Sequence, residues 1–234
     1  MATTTERDGT RPNPPLWGSL AYLLMNLPIG IAGFVFVVTT MSVGISTVII
    51  WVGLGVLALA VLVWRGAARL ERLRVHAMLG TYVADPYRPL PEGAGRWVAR
   101  FKDPATWKDM AYFVLLLPVG IAEFTISITT WSVGIYLSLL PLYWSVMPND
   151  WQVVLWDGHF FGPDSWIGTL PWAAAGVLVL ALSVVITKGL GTLHARYARA
   201  MLGPNPRRVS QMEQLNTAGA IDWSTPMNFG QVTR

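Results

Sequence analysis

Four stretches of the chain are apolar and almost free of charge: Trp17 to Met41, Ile45 to Trp64, Ala111 to Thr130 and Leu170 to Thr187. Each falls in the range of ~17–25 residues that a helix needs to cross a bilayer core, so the pattern predicts four transmembrane helices. Pro28 and Pro118 lie inside the first and third stretches, where a missing backbone donor predicts a kink. Gly30, Gly33 and Gly120 follow them and predict close helix packing. After the second and fourth stretches the pattern changes. Arg65, Arg69, Arg72 and Arg74 interleave with Leu70, Leu73, Val75 and Leu79, and Lys188, Arg196 and Arg199 lie in a similar segment, 188–203. Spacing of this kind predicts amphipathic helices lying on the membrane surface.

The chain also repeats itself. Tyr22, Pro28, Gly30, Phe34, Thr39, Thr40 and Gly44 return ninety positions later as Tyr112, Pro118, Gly120, Phe124, Thr129, Thr130 and Gly134. A second echo pairs Leu70–Gly80 with Leu193–Gly203 at an offset of 123, so the second copy carries 33 more residues. The expected divisions are an N-terminal tail (1–16), a first repeat (17–80), a linker (81–109), a second repeat (110–203) with an insertion over 135–169, and a tail (204–234). The fold class that follows is an all-α membrane protein. Its four transmembrane helices form two parallel-repeat helical hairpins, each followed by a cytoplasmic amphipathic surface helix. With an even number of spans per copy, the copies are expected to share orientation about an axis along the membrane normal.

Composition agrees: 53% of residues are hydrophobic and 13% charged, with a mean hydropathy of +0.45. The net charge of +4 comes from residues beside the spans, which favours membrane topology over nucleic-acid binding. Of seventeen Lys and Arg, two precede the first span, nine lie in 65–108 and six in 188–234. By the positive-inside rule both termini and the linker are expected in the cytoplasm and the insertion outside. Without cysteine there is no disulfide or thiol chemistry. No serine–histidine–aspartate set, carboxylate pair or metal-ligand spacing suggests an enzyme, so no catalytic residue, metal or cofactor is expected.

Glu123 is the one ionisable side chain within a span and stands where the first copy has Gly33. A carboxylate in hydrocarbon costs at least ~2–3 kcal/mol unless paired or hydrated, which makes it the first functional candidate. A carboxyl close to the interface, or bonded to a neighbouring threonine, is the plainer reading. In the insertion, Trp151, Trp156, His159, Phe160, Phe161 and Trp166 suit either a lid over an apolar ligand or an interfacial aromatic belt. Pro28, Gly30, Gly33, Pro118 and Gly120 read as packing positions. The basic residues Arg65, Arg69, Arg72, Arg74, Lys188, Arg196 and Arg199 are expected against lipid headgroups. His76 and His194 read as interfacial.

The block shared by both copies, the LERLR close of the first, and the entry Asp103-Pro104-Ala105-Thr106-Trp107-Lys108-Asp109-Met110-Ala111-Tyr112 into the second resemble the putative sensor domain found at the N-terminus of bacterial two-component histidine kinases. The resemblance covers roughly Trp17 to Pro204. It implies a membrane-embedded input module in the bacterial plasma membrane. No phosphoacceptor helix or nucleotide-binding motif follows Gly203 here, so the expectation is a stand-alone, non-catalytic module that relays an outward or membrane signal. Expected partners are membrane lipids, another membrane or signalling protein, and a second copy of the chain, but not nucleic acid. The competing expectation is an accessory subunit of a larger membrane complex, such as a transporter or respiratory assembly.

Overall fold

A computed structural model describes residues 14–87, 95–146, 153–154, 160–161, 163 and 165–204. Its helices are α1 (Leu16–Ser46), α2 (Val52–Leu79), α3 (Arg96–Lys102), α4 (Pro104–Ser138), α5 (Leu140–Tyr143) and α6 (Leu170–Leu202). Between α5 and α6, β1 (Val153–Val154) and β2 (Phe160–Phe161) form one short antiparallel ladder. The four long helices are apolar and long enough to cross a membrane. The protein is a multi-pass membrane protein of two helical hairpins, α1/α2 and α4/α6.

Local chemistry sets the helix ends. Asp103 caps α4 by accepting the Ala105 N–H at 3.1 Å, and Pro104 occupies the first turn, where its missing donor is harmless. Gly80 ends α2 in the left-handed region, at a φ of 64°. The apolar stretches that end at Met41 and Thr130 belong to longer helices, and α1 and α4 run on to Ser46 and Ser138. Thr40 returns its hydroxyl to the Phe36 carbonyl, and Thr130 does the same to Ile126. A hydroxyl satisfied in this way can sit inside a helix. Both helices also continue through Pro28 and Pro118.

The two amphipathic segments are the last turns of α2 and α6, continuous with the spans. Their apolar residues divide between the protein core and the outer surface. Ala68, Val75 and Leu79, with Ala195, Ala198 and Leu202, are buried in the common core beside Tyr22, Tyr112 and Leu116. Leu70, Leu73 and Leu193 stay exposed, so protein covers only part of these faces.

The relation between the hairpins also differs from the expectation. Within each hairpin the helices are antiparallel: Gly18 meets Met78 and Gly44 meets Leu57, while Gly134 meets Leu180. Between hairpins, Trp17 at the start of α1 lies beside Trp131 late in α4, with ring centroids 6.3 Å apart. Trp131 is the repeat equivalent of Met41, so parallel helices rising about 1.5 Å per residue would separate the pair by ~36 Å. Ser19 on α1 meets Gly191 on α6, and Asn26 reaches His194, so α1 runs with α6 and against α4. The pseudo-twofold axis therefore crosses the helices instead of following them. Two glycines sit near that axis. A Cβ on Gly30 would lie 2.9 Å from the Leu116 carbonyl oxygen, and one on Gly120 2.8 Å from that of Asn26. At these two positions only a bare backbone lets the helices meet.

Candidate sensory site

Where the hairpins cross, polar side chains from all four long helices form a closed circuit. Glu71 on α2 is its hub. Its Oε1 accepts from the Tyr22 hydroxyl at 2.6 Å and the Tyr112 hydroxyl at 2.9 Å. Arg74 donates to both carboxylate oxygens at 2.9 Å and passes a second bond from Nη2 to Asn26 Oδ1 at 2.6 Å. The Asn26 amide donates to Glu123 Oε2 at 2.6 Å. Glu123 Oε1 lies 2.7 Å from His194 Nδ1. His194 Nε2, 3.1 Å from the Tyr112 hydroxyl, closes the circuit.

Burial makes this circuit energetically consequential. Tyr22, Asn26 and Tyr112 are fully buried, and His194, Glu71 and Glu123 are nearly so. Charges withdrawn from water are tolerated only when paired and hydrogen-bonded. Proton accounting fixes much of the arrangement. Glu71, ionised against Arg74, can only accept, so both tyrosines donate to it. Tyr112 has then used its proton and must accept from His194, which assigns a proton to Nε2. One more proton lies between Nδ1 and Glu123, whether as imidazolium with carboxylate or as imidazole with carboxylic acid. Either form leaves the Glu123–His194 pair neutral, and Glu71 with Arg74 is neutral as well. Each pairing thus balances its charge, and the Glu123–His194 contact needs one hydrogen that either partner can carry.

A second polar layer joins α2 to the start of α4. Arg65 pairs with Asp103 at 3.4 Å and donates to Thr106 at 3.1 Å. Arg72 pairs with Asp109 at 3.5 Å and donates to the Leu202 carbonyl at 3.1 Å. Tyr87, from the linker, lies under the Arg65 guanidinium at 3.7 Å and donates to Asp109. Burial, and then the Asp109 carboxylate, push the Tyr87 hydroxyl well above the ordinary tyrosine range, so it remains a donor.

Glu123, predicted as the first candidate, is buried and central, and its partners are Asn26 and His194. His194 is a correction: it is core, 1% exposed, and not interfacial. Arg65, Arg72 and Arg74 are also corrections, because their guanidinium groups turn inward to carboxylates and not to headgroups. Arg69, Arg196 and Arg199 are exposed and Lys188 is half-buried. Trp166 is exposed and donates its indole N–H to the Pro141 carbonyl at 3.2 Å. Trp151, Trp156 and His159 lie outside the described residues, and Phe160 and Phe161 are described only as strand β2. Among the described residues no group of three or more His, Asp or Glu side chains is placed to hold a metal ion.

Sequence reasoning missed Asn26, Glu71, Arg74 and His194 as one constellation, although a signal was present. The offset of 90 pairs Tyr22 with Tyr112, and the offset of 123 pairs Glu71 with His194. Two residues and their repeat equivalents therefore supply four members of the circuit.

A family model described as "Putative sensor" matches residues 22–202. No curated protein matches the chain. No solved structure matches it either.

Proposed function

We propose a function from the premise that this chain belongs to the Putative sensor family: it is a non-catalytic sensory or regulatory module that relays an outward or membrane signal to a partner protein. The observation that carries this reading is the buried circuit. A signal that shifts one hairpin relative to the other must rewire bonds among Glu71, Tyr112, His194 and Glu123, because each helix contributes at least one member. Interlocked polar groups in a packed interior favour discrete alternative arrangements over gradual deformation. The hydrogen that the 2.7 Å His194–Glu123 contact requires can be carried by either partner, which gives two such arrangements without changing the net charge.

The proposed setting is the bacterial plasma membrane, with segments 65–108 and 188–234 facing the cytoplasm by their positive charge. Cytoplasmic placement of both termini rests on that charge bias; Gly18 beside Met78 keeps the start of α1 with the end of α2, whereas α1 running with α6 argues against both termini sharing one side. The proposed partners are membrane lipids, through Arg69, Lys188, Arg196 and Arg199, and a membrane or signalling protein or a second copy of the chain. The aromatic insertion is proposed as the outward-facing sensing element.

Purification at native abundance from the source membrane, with mass spectrometry of what accompanies the chain, tests this reading. Wild type is expected to bring a signalling protein, and a His194→Gln variant that retains helicity and thermal stability is expected to change the amount recovered. Fixed-ratio recovery of a large membrane assembly, indifferent to that variant, would replace the sensory reading with an accessory-subunit role.

A further inference from the structure

Residues 95–110 carry four cations, Arg96, Arg100, Lys102 and Lys108, and two acids, Asp103 and Asp109. Both acids are buried and already committed, Asp103 to Arg65 and Asp109 to Arg72. None of the four cations has an ion pair among the described residues. Arg96 and Lys102 are exposed, and Arg100 and Lys108 are half-buried. This corner therefore presents positive charge with no free acid of its own to balance it. Beside the cations stand Trp97, Val98 and Trp107, which are 43%, 54% and 44% exposed.

Side chains from the first turn of α4 hold α3 in place by taking up its last carbonyls. Thr106 donates its hydroxyl to the Arg100 carbonyl and Trp107 its indole N–H to that of Phe101, both at 2.9 Å. Carbonyls orphaned at the helix end are thereby satisfied. The Arg100 guanidinium lies 5.1 Å over the Trp97 ring, a cation–π contact that leaves its N–H donors free for a further acceptor. Thr106 also accepts from Arg65 at 3.1 Å, which fixes the level of the corner along α2. Arg65 follows the second apolar stretch directly, and the third opens at Ala111. α3 therefore lies where two spans meet the second polar layer, a depth at which tryptophan and basic side chains are both favoured.

We propose that α3 and the first turn of α4 form a binding surface for the phosphate headgroups of anionic lipids, with Arg96, Arg100 and Lys102 as charge contacts and Trp97 and Trp107 as anchors at the acyl boundary. Charge complementarity selects an anion. The exposed tryptophans select one that belongs to a bilayer, because a soluble acidic ligand would leave their rings in water. This surface is additional to the lipid contacts of Arg69, Lys188, Arg196 and Arg199, and it stands apart from the sensory reading, since binding is measured directly and requires no signalling output.

The test uses the full chain in mild detergent, labelled with fluorotryptophan, with the Trp97 and Trp107 fluorine resonances assigned by their loss in Trp97→Phe and Trp107→Phe. Short-chain phosphatidylglycerol and phosphatidylcholine are titrated separately. Phosphatidylglycerol is expected to shift both resonances saturably, at a concentration about tenfold lower than phosphatidylcholine requires. Arg96→Gln with Arg100→Gln and Lys102→Gln is expected to weaken binding roughly a hundredfold. Lys102→Gln alone, expected to weaken it about fivefold, carries the test if the triple variant fails to fold. Equal response to the two lipids, an undiminished response in the folded variant, or the same saturable shift from inorganic phosphate or a polyglutamate peptide at matching concentration would overturn the proposal.

Discussion

The hydroxyl oxygens of Tyr22 and Tyr112, equivalent residues of the two copies, lie 3.5 Å apart with Glu71 accepting from both. A twofold pair cannot share one carboxylate symmetrically unless the acid sits on the axis. Symmetry is instead broken by the next residue pair: where the first copy supplies Glu71, the second supplies His194. Tyr112 touches both and Tyr22 donates to Glu71 alone, so two chemically identical side chains have unequal duties.

That inequality predicts unequal losses. Tyr112→Phe removes a donor to Glu71 and strands His194 Nε2, so a destabilisation of ~1–3 kcal/mol is expected. Tyr22→Phe should cost less. Because both serve the same oxygen, the double variant should lose less than the sum of the singles. Unfolding in detergent, followed by circular dichroism, measures all three, and strict additivity would show that the tyrosines do not share Glu71.

How far the fold could be read from sequence depended on what each residue had to satisfy locally. The four spans were legible because hydrocarbon demands long apolar runs, and the two hairpins because the repeat shows in Tyr22/Tyr112 and Gly30/Gly120. The direction of the second hairpin was not, since Gly30 and Gly120 look the same in a parallel or an antiparallel crossing. Trp17 beside Trp131 decides between them, and no local pattern ties those two together. Arg72 and Arg74 were misread for a related reason. An amphipathic stripe of arginines looks the same against headgroups as against buried acids: Asp109, the partner of Arg72, lies 37 positions away on α4, and Glu71, the partner of Arg74, is local but itself buried by the other helices.

The Glu123–His194 pair should behave as a unit. Removing the acid alone, as in Glu123→Leu, leaves a buried imidazole and the Asn26 amide without their acceptor, and ~3–5 kcal/mol of stability should be lost. Combining it with His194→Leu replaces a polar pair by packed hydrocarbon, and the double variant should recover at least ~1 kcal/mol over the summed singles. Thermal or denaturant unfolding of the four members of this cycle checks the sign. A double variant as damaged as the sum would show that the two do not protect each other.

The arginines divide into two classes with separable phenotypes. Arg65→Gln and Arg72→Gln each break a buried ion pair, so they should lower the melting temperature and leave retained anionic lipid unchanged. Arg69→Gln, Arg196→Gln and Arg199→Gln together remove exposed cations worth about 1 kcal/mol each at an anionic surface. That triple variant should melt near wild type and carry fewer anionic lipids by native mass spectrometry. Equal lipid loss from both sets would return Arg65 and Arg72 to the headgroup layer.

Trp17 and Trp131 provide the most direct check on the crossing of the hairpins. The chain has no cysteine, so Trp17→Cys with Trp131→Cys gives one defined thiol pair in an otherwise unreactive background. With ring centroids 6.3 Å apart in the native protein, a short bismaleimide should join the pair within one chain, giving a band of altered mobility on denaturing gels. Pairing Trp17→Cys with a cysteine at Met110, near the start of α4, should give none. Copies sharing one orientation would reverse this result: position 17 would then lie near the start of α4 and ~36 Å from position 131. A Trp17–Met110 product in native membranes would therefore mean that the hairpins stand side by side in the bilayer, and the polar circuit would have to be rebuilt around a different axis.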